Sequence, residues 1–128
     1  MKLLDTTFLI DLLRGKKETE KIFRGNEQLF TTNINMYEVI RGLFLRNVSS
    51  ITFLDTLELF ETIGVLSMDD NGIVKAAEIS AGLIKKGEML ADCDCLIAGI
   101  AFSKGVTTIV TTNDKDFNRI SGLNIEQY

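Results

Sequence analysis

The chain contains no histidine, no proline and no tryptophan, and only two cysteines among its 128 residues. The lack of histidine excludes imidazole general bases, Ser-His triads, His-ligated metals and imidazole pH switching in one step. Without proline, turns must be marked by glycine and by clusters of Asn, Asp and Ser. Cys93 and Cys95 sit too close in sequence for an easy disulfide, and two thiols alone do not complete a zinc site. They read as reduced packing residues. No apolar run approaches the ~20 residues of a membrane span, and Met1-Lys2-Leu3-Leu4-Asp5 reaches an acid too soon for a secretory leader. A cytoplasmic chain with no membrane partner is therefore expected. Positive charge is also short: 14 Lys and Arg face 18 Asp and Glu, a net charge of -4. That balance does not advertise a nucleic-acid surface, although metal ions and a local basic rim can still meet phosphates.

What is present is a regular alternation of strands and helices. Hydrophobic residues make up 45% of the chain, enough for one domain over residues 1–128 with a real core. Lys2 to Asp5 reads as a buried strand. Thr6 is expected to cap a helix with the apolar face Phe8, Leu9, Leu12 and Leu13, ending near Gly15. Glu18 to Arg24 is a short amphipathic helix, and Gln28 to Thr31 a second strand. Asn35 is the expected N-cap of a helix from Met36 to about Arg46. Ser49 or Ser50 caps another through Leu59. Gly64 to Met68 forms a third strand, and Asp69 starts a helix through Lys85. Asp92 to Ser103 is helical, with a stripe of Leu96, Ile97, Ile100 and Ala101. Thr108 to Thr111 is a fourth strand, buried on both faces, and Asn124 to Gln127 adds an edge strand. The alternation predicts an α/β three-layer sandwich, with a central, mainly parallel sheet of four to five strands between helices.

Four acids stand at the ends of these elements: Asp5, Glu38, Asp94 and Asp116. Asp5 closes the first strand, and Glu38 and Asp94 lie on helices beside apolar residues, where a carboxylate is costly unless compensated. Gathered by the fold, they would repel one another, and a divalent cation held by oxygen ligands relieves that. An oxygen-only set without histidine suits Mg²⁺ or Mn²⁺, and such sites commonly act on phosphate esters. Asp92 competes with Asp94, because residues two apart on a helix face roughly opposite ways. Arg14, Arg41 and Lys115 are candidates for phosphate contact. Leu54, Leu57 and Phe60, with Phe44 nearby, form either core or a partner surface.

The segments LLDTTFLIDLLRG, YEVIRG, DCLIAGIAFSKG and IVTTNDKDFNRISGL, in that order, resemble the PIN-domain ribonucleases, and more narrowly the VapC toxins of prokaryotic toxin–antitoxin pairs. The likeness runs from about Leu3 to the C-terminus. It implies metal-dependent endonucleolytic cleavage of structured RNA, tRNA or rRNA, with Mg²⁺ or Mn²⁺ as cofactor. It also implies a homodimer and a cognate antitoxin whose C-terminal segment can send a residue, often basic, into the acidic pocket. Asp5 matches the acid closing the first strand, Glu38 the glutamate of the second motif and Asp94 the aspartate before Leu-Ile-Ala. The fourth position is shared among Asp116, Asp114 and Asn113, with Asp116 before Phe117 fitting the pattern. Thr6 and Thr7 match a polar pair beside the first acid, and Thr111 the threonine closing the fourth strand.

Other classes fit less well. A phosphatase with an Asp nucleophile wants a second Asp two residues on, and Thr7 stands there. A receiver-like signalling module needs an acidic pair after its first strand; Asp69-Asp70 follows the third strand, but no such pair follows Leu4. A degenerate, non-catalytic scaffold should have lost an acid, and the set is intact. An RNA-processing nuclease outside a toxin–antitoxin pair stays within the same chemistry.

Overall fold

The computed structural model describes residues 1–128. Five strands form one sheet: β1 (Lys2–Leu4), β2 (Leu29–Thr32), β3 (Gly64–Leu66), β4 (Thr108–Val110) and β5 (Asn124–Glu126). Their order is β3-β2-β1-β4-β5, and every pairing is parallel. Seven helices connect them: α1 (Thr6–Leu13), α2 (Lys17–Phe23), α3 (Asn33–Leu45), α4 (Ser50–Thr62), α5 (Asp70–Lys85), α6 (Asp92–Ser103) and α7 (Asp114–Phe117).

Successive residues of a strand point to opposite faces, and the central strands use both. Leu3 and Ile109 join a core with Leu83, Ile97, Ala101 and Phe117 from α5, α6 and α7. Leu4 and Val110 join a second core with Phe8, Leu9, Val39 and Phe60 from α1, α3 and α4. The expected three-layer arrangement is therefore present. β1 lies at the centre of the sheet, where the connections change direction. Ligands in such sheets bind outside the carboxyl ends of the strands at this switch point, here the ends of β1 and β4.

Several expected boundaries move, for identifiable reasons. Asp5, not Thr6, occupies the cap position of α1, with extended backbone and no capping bond from its side chain. Thr32, not Asn35, caps α3: its hydroxyl accepts from the Asn35 N–H, and the Asn35 side chain accepts from the Thr32 N–H. This reciprocal pair satisfies two end donors together, so the helix starts two residues before the expected cap. α4 continues to Thr62, and α7 is a single turn that sequence pattern did not reveal. α6 is more deeply set than an amphipathic helix, since Cys95 and Ile97 through Ala101 are all buried. Gly99 makes this possible, because a Cβ there would lie 2.6 Å from both the Gly72 carbonyl oxygen and the Ala76 nitrogen of α5.

Candidate active site

Asp5 emerges from the central strand and is nearly fully buried. Its N–H donates to the Val110 carbonyl of β4 at 3.1 Å, which extends the ladder by one rung. Its carboxylate is held from several directions. Thr111 Oγ1 donates to Oδ2 at 2.6 Å, Thr7 Oγ1 donates to the same oxygen at 3.4 Å, and Asn35 Nδ2 donates to Oδ1 at 3.2 Å. Burial nevertheless dominates and raises its pKa, with the bonds from Thr111, Thr6, Thr7 and Asn35 opposing.

Glu38 sits one turn into α3, half-buried, and its Oε1 accepts from Thr6 Oγ1 at 2.8 Å. Asn35 also donates to Thr6 Oγ1 at 3.0 Å. Asn35 is thus a hub. Its amide oxygen accepts from the Thr32 N–H and hydroxyl, and its amide nitrogen serves Asp5 and Thr6. One buried amide fixes the start of α3, the first acid and the hydroxyl on the second. It was not among the expected site residues, because a capping role and a site role look alike in sequence.

Asp94, in the first turn of α6, is half-buried. Its pKa is pushed up to about 6, first by desolvation and then by the charges of Asp5, Glu38 and Asp116. These four carboxylates therefore share one electrostatic neighbourhood. Asp92 is exposed at the start of the same helix and is not among the charges that raise the Asp94 pKa. Asp116 lies on α7, where Arg119 Nη2 stands 3.8 Å from its Oδ1. Asn113 occupies the cap position of α7 without a side-chain capping bond, and its N–H donates to Thr111 Oγ1 at 2.9 Å. Asp114 begins the same turn.

No three Asp, Glu or Cys side chains converge as a ready-made metal cage. Four like charges cannot close up without a counter-charge, and all their donors are hard oxygens of the type that suits Mg²⁺ or Mn²⁺. Cys93, free and half-buried, has its thiol pushed up by burial and then by Glu38 and Asp94. Both effects favour the neutral thiol over the thiolate. Of the cations named from sequence, only Arg41 and Lys115 lie near this region: Arg41 bears on the Cys93 thiol, and Lys115 lies on α7. Arg14 closes α1 at its far end.

Comparison with known proteins fits this geometry. A PIN domain profile matches residues 2–123. The chain belongs to the PIN domain family. Among curated PIN relatives, the tRNA(fMet)-specific endonuclease VapC of Salmonella typhimurium is 30% identical over 134 positions, covering 98% of this chain and 96% of its own. Ribonuclease VapC1 of Rickettsia felis is 27% identical, covering 96% and 92%. Among solved PIN structures, DNA-bound VapBC from Salmonella typhimurium matches with a TM-score of 0.84 at 27% identity, covering 98% of this chain and 96% of the other. VapBC2 of Rickettsia felis bound to a promoter DNA fragment shares the fold with a TM-score of 0.85 at 21% identity, covering 99% and 98%.

Removing the Asn35 hub should be costly. Asn35→Ala leaves the Asp5 carboxylate, the Thr6 hydroxyl and the Thr32 N–H each short of a buried partner, at about 1–3 kcal/mol for an unsatisfied group. A loss of about 2 kcal/mol in urea unfolding is expected, together with weaker Mn²⁺ binding by calorimetry. Unchanged stability would show that Asn35 is replaceable by water.

Proposed function

We propose that this chain is a VapC-type toxin, a metal-dependent endoribonuclease that cuts structured RNA such as tRNA or rRNA. The observation that carries the reading is that Asp94 feels the charges of Asp5, Glu38 and Asp116, with Asp5 just past the carboxyl end of β1, in a chain whose relatives are named endonuclease and ribonuclease. These four acids are the proposed ligands of Mg²⁺ or Mn²⁺. A divalent ion held by them would supply a water acidic enough to attack at neutral pH, and a positive charge for the phosphate and its leaving oxygen.

The remaining work falls to the protein's own groups. Thr111, Thr7 and Asn35 hold the Asp5 carboxylate in one orientation, and Thr6 does the same for Glu38. Oriented carboxylates lose less freedom on binding a cation, and such outer partners typically matter ~10–100-fold in metal affinity or activity. Asn113, whose N–H donates to Thr111 Oγ1, is the proposed water-orienting amide. The raised pKa of Asp94 keeps part of the carboxylate protonated at mildly acid pH, so a cation competes with a proton there.

The solved relatives include VapBC assemblies, and a cognate antitoxin is the proposed protein partner. An apolar groove supports this. Met36, Tyr37, Ile40, Phe44 and Leu45 line it along α3, the helix that carries Glu38. Tyr37, Phe44 and Leu45 are exposed, as is Leu54 of α4, whereas Phe60 is buried in the core. The stripe on α4 is therefore split between core and surface. A homodimer is also proposed, and light scattering of the free chain decides it. No helix is long and apolar enough to cross a membrane.

The deciding assay uses a labelled structured RNA with the purified chain in Mn²⁺, in Mg²⁺ and in EDTA, beside Asp5→Asn. Cutting that needs the metal and is lost in the variant is the expected result. Absence of cutting on a panel of tRNA and rRNA fragments, with no Mn²⁺ uptake by calorimetry, would overturn the reading.

A further inference from the structure

Beside the acids lies a second, polar cavity. The Gly87–Met89 loop after α5 and the end of α7 enclose an open cleft of about 570 Å³, lined by Gly87, Glu88, Met89, Lys115, Asn118 and Arg119. Only one of these side chains is hydrophobic. The volume falls within the ~300–1,000 Å³ usual for small-ligand sites.

Arg119 joins this cleft to the acid cluster. Its Nη1 donates to the Met89 carbonyl at 3.1 Å, while Nη2 stands 3.8 Å from Asp116 Oδ1. The guanidinium is thereby held across the wall between the two sites. Lys115 is exposed and, like Lys17, Lys21, Lys85 and Lys86, forms no ion pair; what sets it apart is its place next to Asp116 on α7 and on the wall of this cleft. Its charge is therefore free for a ligand. A chain of net charge -4 with four acids at its centre repels a polyanion unless cations flank the acids. Lys115 and Arg119 are placed to do so.

Glu88 puts a carboxylate on the same wall, which weakens simple phosphate binding and adds a hydrogen-bond acceptor beside the cations. Two cations, one amide and one carboxylate together match a whole nucleotide. Arg and Lys take phosphate, while an amide and a carboxylate can read the edge of an unpaired base by donating to and accepting from it. We propose that this cleft binds one unpaired nucleotide of the RNA flanking the scissile phosphate. Lys115 and Arg119 hold its phosphate, and Asn118 and Glu88 contact its base. The proposal rests on the ribonuclease reading above and names how that site grips its substrate.

The test is fluorescence anisotropy of a labelled single-stranded oligoribonucleotide over a salt series in EDTA, paired with cleavage kinetics in Mn²⁺. Lys115→Gln is the main variant, since Lys115 is exposed and tied to nothing. Exposed Lys17→Gln on α2 is the control. Lys115→Gln should bind RNA at least ~5-fold more weakly and reduce the salt slope by about 0.7, the single-strand value for one phosphate. It should raise KM with kcat kept, and leave Mn²⁺ binding unchanged. Asn118→Ala should relax base preference at one position next to the cut. If the wild type cuts RNA while Lys115→Gln keeps its affinity, slope and KM, the subsite is overturned and the ribonuclease reading stands. If the wild type neither binds nor cuts RNA, both fall.

Discussion

Asp94→Asn should abolish RNA cleavage and stabilise the metal-free protein at the same time. Asp94 stands half-buried among three other carboxylates, with its pKa pushed up to about 6 by desolvation and by Asp5, Glu38 and Asp116. In the unfolded chain an aspartate ionises near pH ~3.9. Between those two values the folded form holds a proton that the unfolded form has released. Stability of the metal-free protein from this group is thus complete below about pH 4 and is lost as pH rises through about 6. Buried Asp5, whose pKa is also raised, acts in the same direction. The neutral amide of Asn removes the penalty at pH 7.

A shift of this size corresponds to about 3 kcal/mol at ~1.4 kcal/mol per unit. Asp94 is partly exposed, and solvent screening reduces that to on the order of 1 kcal/mol. The melting temperature in EDTA should rise by ~4 °C. Cleavage in Mn²⁺ should fall by at least ~10²-fold, because even the outer partners of metal ligands cost up to that much. Mn²⁺ should stabilise the wild type and leave the variant unmoved. A variant that melts lower in EDTA would show that Asp94 is held by a favourable partner rather than strained by its neighbours.

Gly99→Ala should destabilise the fold by about 2 kcal/mol, against the ordinary preference of helices for alanine. That preference alone would favour Ala by about 1 kcal/mol in a helix interior. Here the new Cβ would meet the Gly72 carbonyl oxygen and the Ala76 nitrogen at 2.6 Å, and the Ala76 Cβ at 2.7 Å. Two of these are backbone atoms and cannot rotate away, so α5 and α6 must separate. Overpacking of this kind costs about 1–3 kcal/mol; the immobile partners place Gly99 near the top of that range, and the helix preference of about 1 kcal/mol brings the net loss to about 2 kcal/mol.

Gly82 on α5 is the matched control. A Cβ there meets nothing within 4 Å, so Gly82→Ala should stabilise by about 0.5–1 kcal/mol through the helix preference alone. Urea unfolding of both variants gives the two signs directly. Because α6 also carries Asp94, Gly99→Ala should weaken Mn²⁺ binding, whereas Gly82→Ala should not. Stabilisation of similar size at both glycines would contradict the close helix approach.

Much of the layout was legible from local pattern. Short apolar runs closed by Asp5 and Thr111 marked strands buried on both faces. Asn, Asp and Ser punctuation marked helix starts to within a few residues. The capping of α3 was misread because Thr32 and Asn35 both favour caps, and only the reciprocal bond between them decides which one ends the helix. α7 was missed because one turn has no periodicity to read. The depth of α6 was missed because Gly99 looks like any helical glycine until α5 lies against it.

The candidate site divides along the same line. By itself the sequence determined that the chemistry has no imidazole and that the fold alternates strand and helix, and it singled out the acids at 5, 38, 94 and 116 as candidates for holding a hard cation. Residue types and spacing carry that information, because they act locally. Tertiary structure alone decided that Asp94 feels the other three acids, that Asn35 ties Asp5 to Thr6, and that Arg119 bridges the acid cluster to a polar cleft. Apart from the local Asp116–Arg119 pair, these relations join elements far apart in the chain. Their distances follow from how the sheet order and the α5–α6 packing bring strand ends and helix starts together, and no local pattern encodes that.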